Sequence, residues 1–129
     1  MVITLFYTSL LGLLYAVLAA RVGSYRTHSG IGFGTGDDPE LMLRMRVQAN
    51  FVEYVPFTLV LMALVESLSA SRYGLHAMGA TLLIGRVLHA IGLSRGPVPN
   101  LPRELGAGLT MLVGVGGSIW GLWLAAKAF

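Results

Sequence analysis

The stretch RVQANFVEYVPFTLVLMALV, residues 46–65, decides the fold because it joins polar side chains to a long apolar run. Its first half carries Arg46, Gln48, Asn50, Glu53 and Tyr54, and its second half has no charge. A membrane-spanning helix needs roughly 20 mostly apolar residues. Ionisable groups inside such a span are costly, and they generally face a bundle interior or a water-filled cavity. The stretch therefore predicts a membrane helix with a functional polar half.

The composition agrees with a membrane protein. The chain has 129 residues, of which 55% are hydrophobic and 12% are charged, whereas about 25% is usual for soluble proteins. The length predicts a single domain over residues 1–129. The net charge of +3 is too small to indicate a nucleic-acid partner. The absence of cysteine excludes disulfides, thiolate metal sites and a cysteine nucleophile, so any reactive thiol must arrive with a ligand.

Hydropathy predicts four transmembrane helices, at roughly residues 2–20, 39–69, 73–93 and 104–127. Backbone groups in hydrocarbon must bond within their own segment, which predicts an all-α four-helix bundle. The first segment is expected to be a retained helix, because no basic stretch precedes it as in a cleaved signal peptide. The second has a marked start, with Asp38 as N-cap and Pro39 at the first helical position.

The distribution of basic residues predicts the orientation. The arginines near the first and third loops are Arg21, Arg26, Arg44, Arg46, Arg95 and Arg103. The opposite side has only Arg72, Lys127 and the N-terminus. The positive-inside rule then places loops one and three in the cytoplasm and both termini outside.

Helix four is rich in glycine, and Gly117 and Gly121 form a GxxxG pair. Small residues let helix backbones approach closely in lipid. The motif is compatible with packing inside one protomer and with packing between subunits.

Polar residues on helices two and three predict a ligand pocket. Arg46, Asn50 and Glu53 recur at i, i+4 and i+7 and therefore share one helix face. Arg86 and His89 share a face of helix three, and we expect Glu53 to pair with an arginine across these helices. A purely structural alternative is that the charges only fix helix register. Their number, all toward one membrane side, favours a pocket for a ligand with carboxylates and an amine. A haem or metal site is disfavoured, because the histidines do not face one another from different helices.

The motif resembles the signature of the MAPEG family, membrane-associated proteins in eicosanoid and glutathione metabolism. The family pattern Arg-x-x-x-Asn-x-x-Glu-x-x-Pro is matched by Arg46, Asn50, Glu53 and Pro56. The segments GTGDDPEL and GRVLHAIGL are similar to small bacterial members. The resemblance implies a homotrimer of four-helix protomers, with glutathione bound between subunits near the cytoplasmic side. The residues expected to bind it are Arg26, Arg46, Gln48, Asn50, Glu53, Tyr54, Arg86 and His89, and Arg26 would reach the glutathione of an adjacent subunit.

The resemblance also implies that an arginine near the start of helix four stabilises the glutathione thiolate. A thiol has an ordinary pKa of about 8.5, and a nearby guanidinium favours its nucleophilic anion. Arg103 is the expected catalytic residue, with Arg95 in reserve. The tyrosines that some family enzymes carry on helix three are absent, because Val87, Ile91 and Leu93 occupy that region.

Two functions from different classes follow. The first is a bacterial inner-membrane glutathione transferase or peroxidase, which acts on hydrophobic electrophiles or lipid hydroperoxides that arrive through the bilayer, and which needs no metal. The second is a non-catalytic membrane protein that binds glutathione or a lipid headgroup in the same pocket. A small transporter is less favoured, because the polar groups cluster on one membrane side.

Overall fold

The computed structural model describes residues 1–68 and 70–128 as a bundle of four long helices. They are α1 (Val2–Ser29), α2 (Pro39–Ser67), α3 (Arg72–Ser94) and α4 (Leu101–Ala128). All four are long and apolar enough to span a membrane. A 28-residue helix such as α1 is about 42 Å long and exceeds the roughly 30 Å hydrocarbon core. The predicted all-α membrane fold is confirmed, and the helix ends extend past the apolar layer.

The predicted end of the first helix, at residue 20, is wrong. α1 continues through polar residues to Ser29 and stops where Gly30 adopts a left-handed conformation with φ 72°. His28 therefore lies in the helix and not in a loop. The apolar run ends earlier than the helix because hydropathy reports the lipid layer, whereas backbone hydrogen bonding continues beyond it.

α2 begins as predicted. The Asp38 carboxylate accepts hydrogen bonds from the backbone N–H groups of Leu41 (3.0 Å) and Glu40 (2.9 Å), and Pro39 follows the cap. The Leu41 N–H, with the Tyr25 hydroxyl, keeps the pKa of the Asp38 carboxyl below its ordinary value.

Later in α2, the helix passes through Pro56 without a break and ends at Ser67. The prediction extended it to residue 69, which lies outside the described residues. α4 starts earlier than the predicted residue 104, because Asn100 caps it and its first turn includes Leu101 and Arg103.

The core forms where the helices meet, and every pair of helices packs together except α1 with α4. Buried apolar side chains form two clusters along the bundle. The larger contains Leu11, Leu18, Val47, Phe51, Val55, Leu82, Ala90, Leu93 and Val113. The smaller contains Tyr7, Met62, Val65 and Leu75.

Glycines bring α3 and α4 closest together. A Cβ at Gly106 would collide with the backbone of His89, and one at Gly92 would lie 2.7 Å from the Arg103 Cα. The GxxxG pair packs inside the protomer, because Gly117 faces Met78 and Gly121 lies against the α2 side chains. Such close approach is what small residues permit between helices in lipid.

At the opposite end of the bundle, α2 caps α1. Met1 offers α1 no side-chain cap. The Glu66 carboxylate instead accepts from the backbone N–H groups of Ile3 at 2.9 Å and Thr4 at 2.8 Å. A carboxylate at a helix N-terminus satisfies exposed donors and complements the helix dipole.

Candidate functional site

A groove of about 830 Å³ opens at the end of the bundle that carries the first and third connections. It lies between the start of α2, the end of α3 and the α3–α4 connection. The volume is within the roughly 300–1,000 Å³ usual for small-molecule sites. Its polar side chains are Asp38, Glu40, Arg46, Asn50, His89 and Arg103, and its apolar ones include Met42, Leu43, Leu93 and Pro97.

An inner chamber of about 70 Å³ lies behind the groove, deeper in the bundle. Asn50 and His89 line both spaces and form the wall between them. Arg86, Tyr54 and Thr110 complete the polar lining of the chamber. Groove and chamber together bring five of the predicted ligand residues and the predicted catalytic Arg103 to one end of the bundle, from α2, α3 and α4.

Arg86 is the most deeply buried charge of the site, with 2% of its surface exposed. Its Nη2 donates to the Asn50 Oδ1 at 2.8 Å, and its Nη1 lies 3.5 Å from the Thr110 Oγ1. Among the described residues no carboxylate comes within 4.0 Å of it. A buried cation without an anion is costly, so the chamber favours a ligand that brings negative charge.

The predicted ion pair across helices two and three is wrong. Glu53 pairs within α2, where its Oε1 lies 3.6 Å from the Nη1 of Arg46. Both side chains are at least half exposed, so the pair is worth at most about 1 kcal/mol. Arg86 takes the neutral amide of Asn50 instead, because that side chain lies one helical turn closer to it along α2. Glu53 and Tyr54 also line a second, largely apolar groove between α2 and α4.

Arg103 lies in the first turn of α4 and lines the large groove. Its Nη1 donates to the Pro97 carbonyl oxygen at 2.8 Å. Its Nε and Nη2 donate no hydrogen bond to any described residue. Arg95, the reserve prediction, is the exposed C-cap of α3 and does not line the groove. The geometry therefore favours Arg103 of the two.

Three predicted ligand residues lie away from the groove and the chamber: Glu53, which lines the second groove, and also Arg26 and Gln48. Arg26 donates from Nη1 to the Ile31 carbonyl oxygen and from Nη2 to the Met45 Sδ, each at 3.1 Å. Gln48 is half-buried on α2 and lines neither space. Within one protomer, neither Arg26 nor Gln48 therefore contributes to the groove or the chamber.

Sequence reasoning missed Thr110 and Asn100. Thr110 is buried, and its hydroxyl also donates to the Gly106 carbonyl oxygen at 2.8 Å. A lone threonine in an apolar helix often hydrogen-bonds the preceding turn in this way. Nothing in the sequence around Thr110 therefore indicated its contact with Arg86. Asn100 lies directly before α4, and asparagine is a preferred N-cap residue. Its residue type and position could therefore have identified it as a cap.

The site suits an anionic ligand that forms hydrogen bonds. It presents the cations Arg46, Arg86 and Arg103 together with the amide of Asn50. Two buried atoms, the Arg86 Nε and the His89 Nδ1, have no hydrogen-bond partner among the described residues. Unsatisfied buried groups are rare in folded proteins and frequently mark a functional site. No hydroxyl lines the large groove from α3, where Leu93 contributes an apolar side chain.

Comparisons with known proteins identify the family of the chain. The sequence profile of the MAPEG family matches residues 4–123, nearly the whole chain. The inner membrane protein YecN of Escherichia coli strain K12 is 36% identical over 87 residues, and YecN of Escherichia coli O6:H1 strain CFT073 matches equally. The match covers 61% of this chain and 66% of the relative, slightly less than two thirds of its length. With its four apolar helices and the motif on α2, the chain is an integral membrane protein that belongs to the MAPEG family.

Proposed function

We propose that this protein is a membrane-bound glutathione-dependent transferase or peroxidase. Its substrates would be hydrophobic electrophiles or lipid hydroperoxides that reach the groove through the bilayer. The observation that carries the proposal is the groove lined by Arg46, Asn50 and Arg103. Directly behind it lies Arg86, which has no carboxylate partner among the described residues.

The charges of the groove match the charges of glutathione. Glutathione has two carboxylates, one ammonium group and a thiol. Arg46 and Arg86 offer guanidinium groups for the carboxylates, and guanidinium–carboxylate hydrogen bonds are among the stronger ones in proteins. The Asn50 amide would hydrogen-bond the peptide, and the carboxylates of Asp38 and Glu40, which line the groove, would attract the ammonium group. Arg103 is then left for the sulfur.

Arg103 would act by electrostatic stabilisation. The thiol releases its proton to water in the open groove, and the guanidinium stabilises the remaining thiolate. The thiolate attacks the electrophilic carbon of the second substrate, and the leaving group departs with the bonding electrons. Fixing glutathione beside the electrophile makes the attack effectively intramolecular. No metal takes part in this step.

We further propose that the protein lies in a bacterial inner membrane as a homotrimer. The two relatives are named as inner membrane proteins. In a trimer Arg26 could reach the glutathione bound by a neighbouring subunit, which would explain why it lies outside its own groove. The basic ends of the helices would face the cytoplasm, where glutathione is available.

Turnover by the detergent-solubilised full chain tests the proposal. The protein is mixed with glutathione and a chlorinated dinitroaromatic compound or a lipid hydroperoxide, and product is measured against a protein-free control. We expect enzyme-dependent product formation that saturates with glutathione and is inhibited competitively by S-methylglutathione. Saturable binding of S-methylglutathione without turnover across a panel of substrates would contradict the enzymatic function and favour the non-catalytic binding protein. That alternative is supported by the absence of a hydroxyl on the α3 side of the groove.

A further inference from the structure

We propose that Asn100 is a positioning residue that fixes Arg103 at the edge of the groove by bridging the end of α3 to the start of α4. The inference rests on the proposed function, because the position of Arg103 matters only if the groove binds a thiol. It adds a residue that the family motif on α2 does not contain.

The Asn100 side chain bonds both helices at once. Its Nδ2 donates to the carbonyl oxygen of Gly92, in the last turn of α3, at 2.8 Å. Its Oδ1 accepts from the backbone N–H of Arg103, at the third position of α4, at 3.2 Å. The second bond is that of an ordinary N-cap. The first is additional, and it requires the amide nitrogen that serine or aspartate would lack.

The contact between Gly92 and Arg103 makes this bridge tight. A Cβ at Gly92 would lie 2.7 Å from both the Cα and the Cβ of Arg103. The α4 backbone therefore approaches α3 as closely as it does only because residue 92 has no side chain. The Asn100 bridge and the Gly92 contact together fix the backbone of Arg103 relative to α3.

The guanidinium of Arg103 is oriented from the same connection. Its Nη1 donates to the Pro97 carbonyl oxygen, and both residues line the groove. The Asn100 Nδ2 also lies 3.3 Å from the carbonyl oxygen of Val98, which follows Pro97. Asn100 thus stabilises the backbone on both sides of the connection that holds the guanidinium. His89, one helical turn before Gly92, forms the neighbouring wall.

This arrangement has a functional consequence. A displacement of about 1 Å between a catalytic group and its substrate can lower a rate about 100-fold. Loss of the Asn100 bridge would let the connection and Arg103 move away from the groove, while Arg46 and Asn50 on α2 would stay in place. We therefore expect a smaller fraction of the bound thiol to be ionised at a given pH, whereas the affinity for glutathione is retained.

The test compares Asn100→Ser with wild type in the full chain. Serine keeps an N-cap oxygen, so helix capping is preserved. Its side chain is shorter and has no second polar atom, so it cannot cap α4 with one atom and donate to Gly92 with another. The ultraviolet absorbance of the bound thiolate is recorded as a function of pH. Glutathione affinity, turnover and the thermal midpoint are measured for the same variants. In Asn100→Ser we expect the pKa of the bound thiol to rise by about one unit, which is a tenfold change in the ionisation equilibrium. Turnover should fall about tenfold with little change in glutathione affinity. Asn100→Asp, which also lacks the donor, should move ionisation in the same direction.

Gly92→Ala tests the helix contact independently. The new methyl group must push Arg103 away, and the same upward shift in thiol ionisation is expected. Gly108→Ala is the matched control, because Gly108 lies on α4 with nothing within 4 Å of a new Cβ. Wild-type thiolate titration in Asn100→Ser would overturn the inference, even if its thermal midpoint falls, because Asn100 would then be only a cap. Failure of the wild-type protein itself to ionise glutathione would refute the proposed function instead.

Discussion

Two arginines flank the α3–α4 connection, and their surroundings differ. Arg103 lines the groove with Nε and Nη2 unused by the described residues, whereas Arg95 is exposed outside it. Arg103→Ala should lower turnover about 100-fold, as expected for loss of one electrostatic stabiliser. Arg95→Ala should remain close to wild type. Steady-state kinetics with both variants checks this, and equal losses would contradict the assignment.

Asn50 is the principal partner of the buried Arg86. Asn50→Ala would leave that guanidinium without its 2.8 Å hydrogen bond, and hydrogen bonds to charged groups contribute about 2 kcal/mol. We expect the free energy of unfolding in detergent to fall by about that amount. Gln48→Ala is the control, because this half-buried side chain forms no hydrogen bond to a described residue. Equal stability of the two variants would contradict the role of Asn50.

The same residues mark where sequence reasoning was sufficient and where it was not. Helical spacing put Arg46, Asn50 and Glu53 on one face, because the period of a helix is fixed. The spacing does not predict which carboxylate or amide on α2 faces Arg86. That choice depends on the offset between α2 and α3, which is set by packing and not by the sequence of either helix alone.

At the scale of the helices, Glu66 replaces the N-cap that α1 lacks. Glu66→Ala would leave the N–H groups of Ile3 and Thr4 without a partner. Loss of a capping group costs about 1 kcal/mol. The thermal midpoint should therefore fall in Glu66→Ala. It should change little in Glu40→Ala, because the Glu40 side chain that pairs with Arg44 is exposed. The reverse order would contradict the interhelix cap.

The number and approximate positions of the helices could be predicted from the sequence, whereas their exact ends could not. Four apolar runs separated by polar connections are enough to predict four spans. The extension of α1 through Arg26 to Ser29 was missed, because charged residues beyond the lipid layer remove the hydropathy signal without breaking the helix. The early start of α4 was missed for a related reason. The first turn of α4 contains Pro102 and Arg103, which lower its hydropathy, although proline is well tolerated in the first turn of a helix.

At the scale of the whole molecule, the arginines of the first and third connections predict a cytoplasmic groove. Alkaline phosphatase fused after residue 129 should be active outside the cytoplasm. The same enzyme inserted between Gly32 and Phe33, in the first connection, should be inactive. The opposite pattern would contradict the predicted orientation and would show that the groove faces away from the cytoplasm.

The assembly of the site from three helices lies beyond what the sequence could predict. The groove needs α2 for Arg46, α3 for His89 and α4 for Arg103. The motif on α2 identified its own residues through their spacing. Arg103 was predicted only through the family resemblance, and Asn100 and Thr110 were found only when the helices were packed together.

Titration of the detergent-solubilised protein with glutathione, followed by thiolate absorbance near neutral pH, tests the central claim most directly. S-methylglutathione, which has no thiol proton, is the matched control. We predict a saturable thiolate signal at a pH well below the ordinary thiol pKa of about 8.5, with none for S-methylglutathione. Absence of saturable binding by wild-type protein would contradict the account.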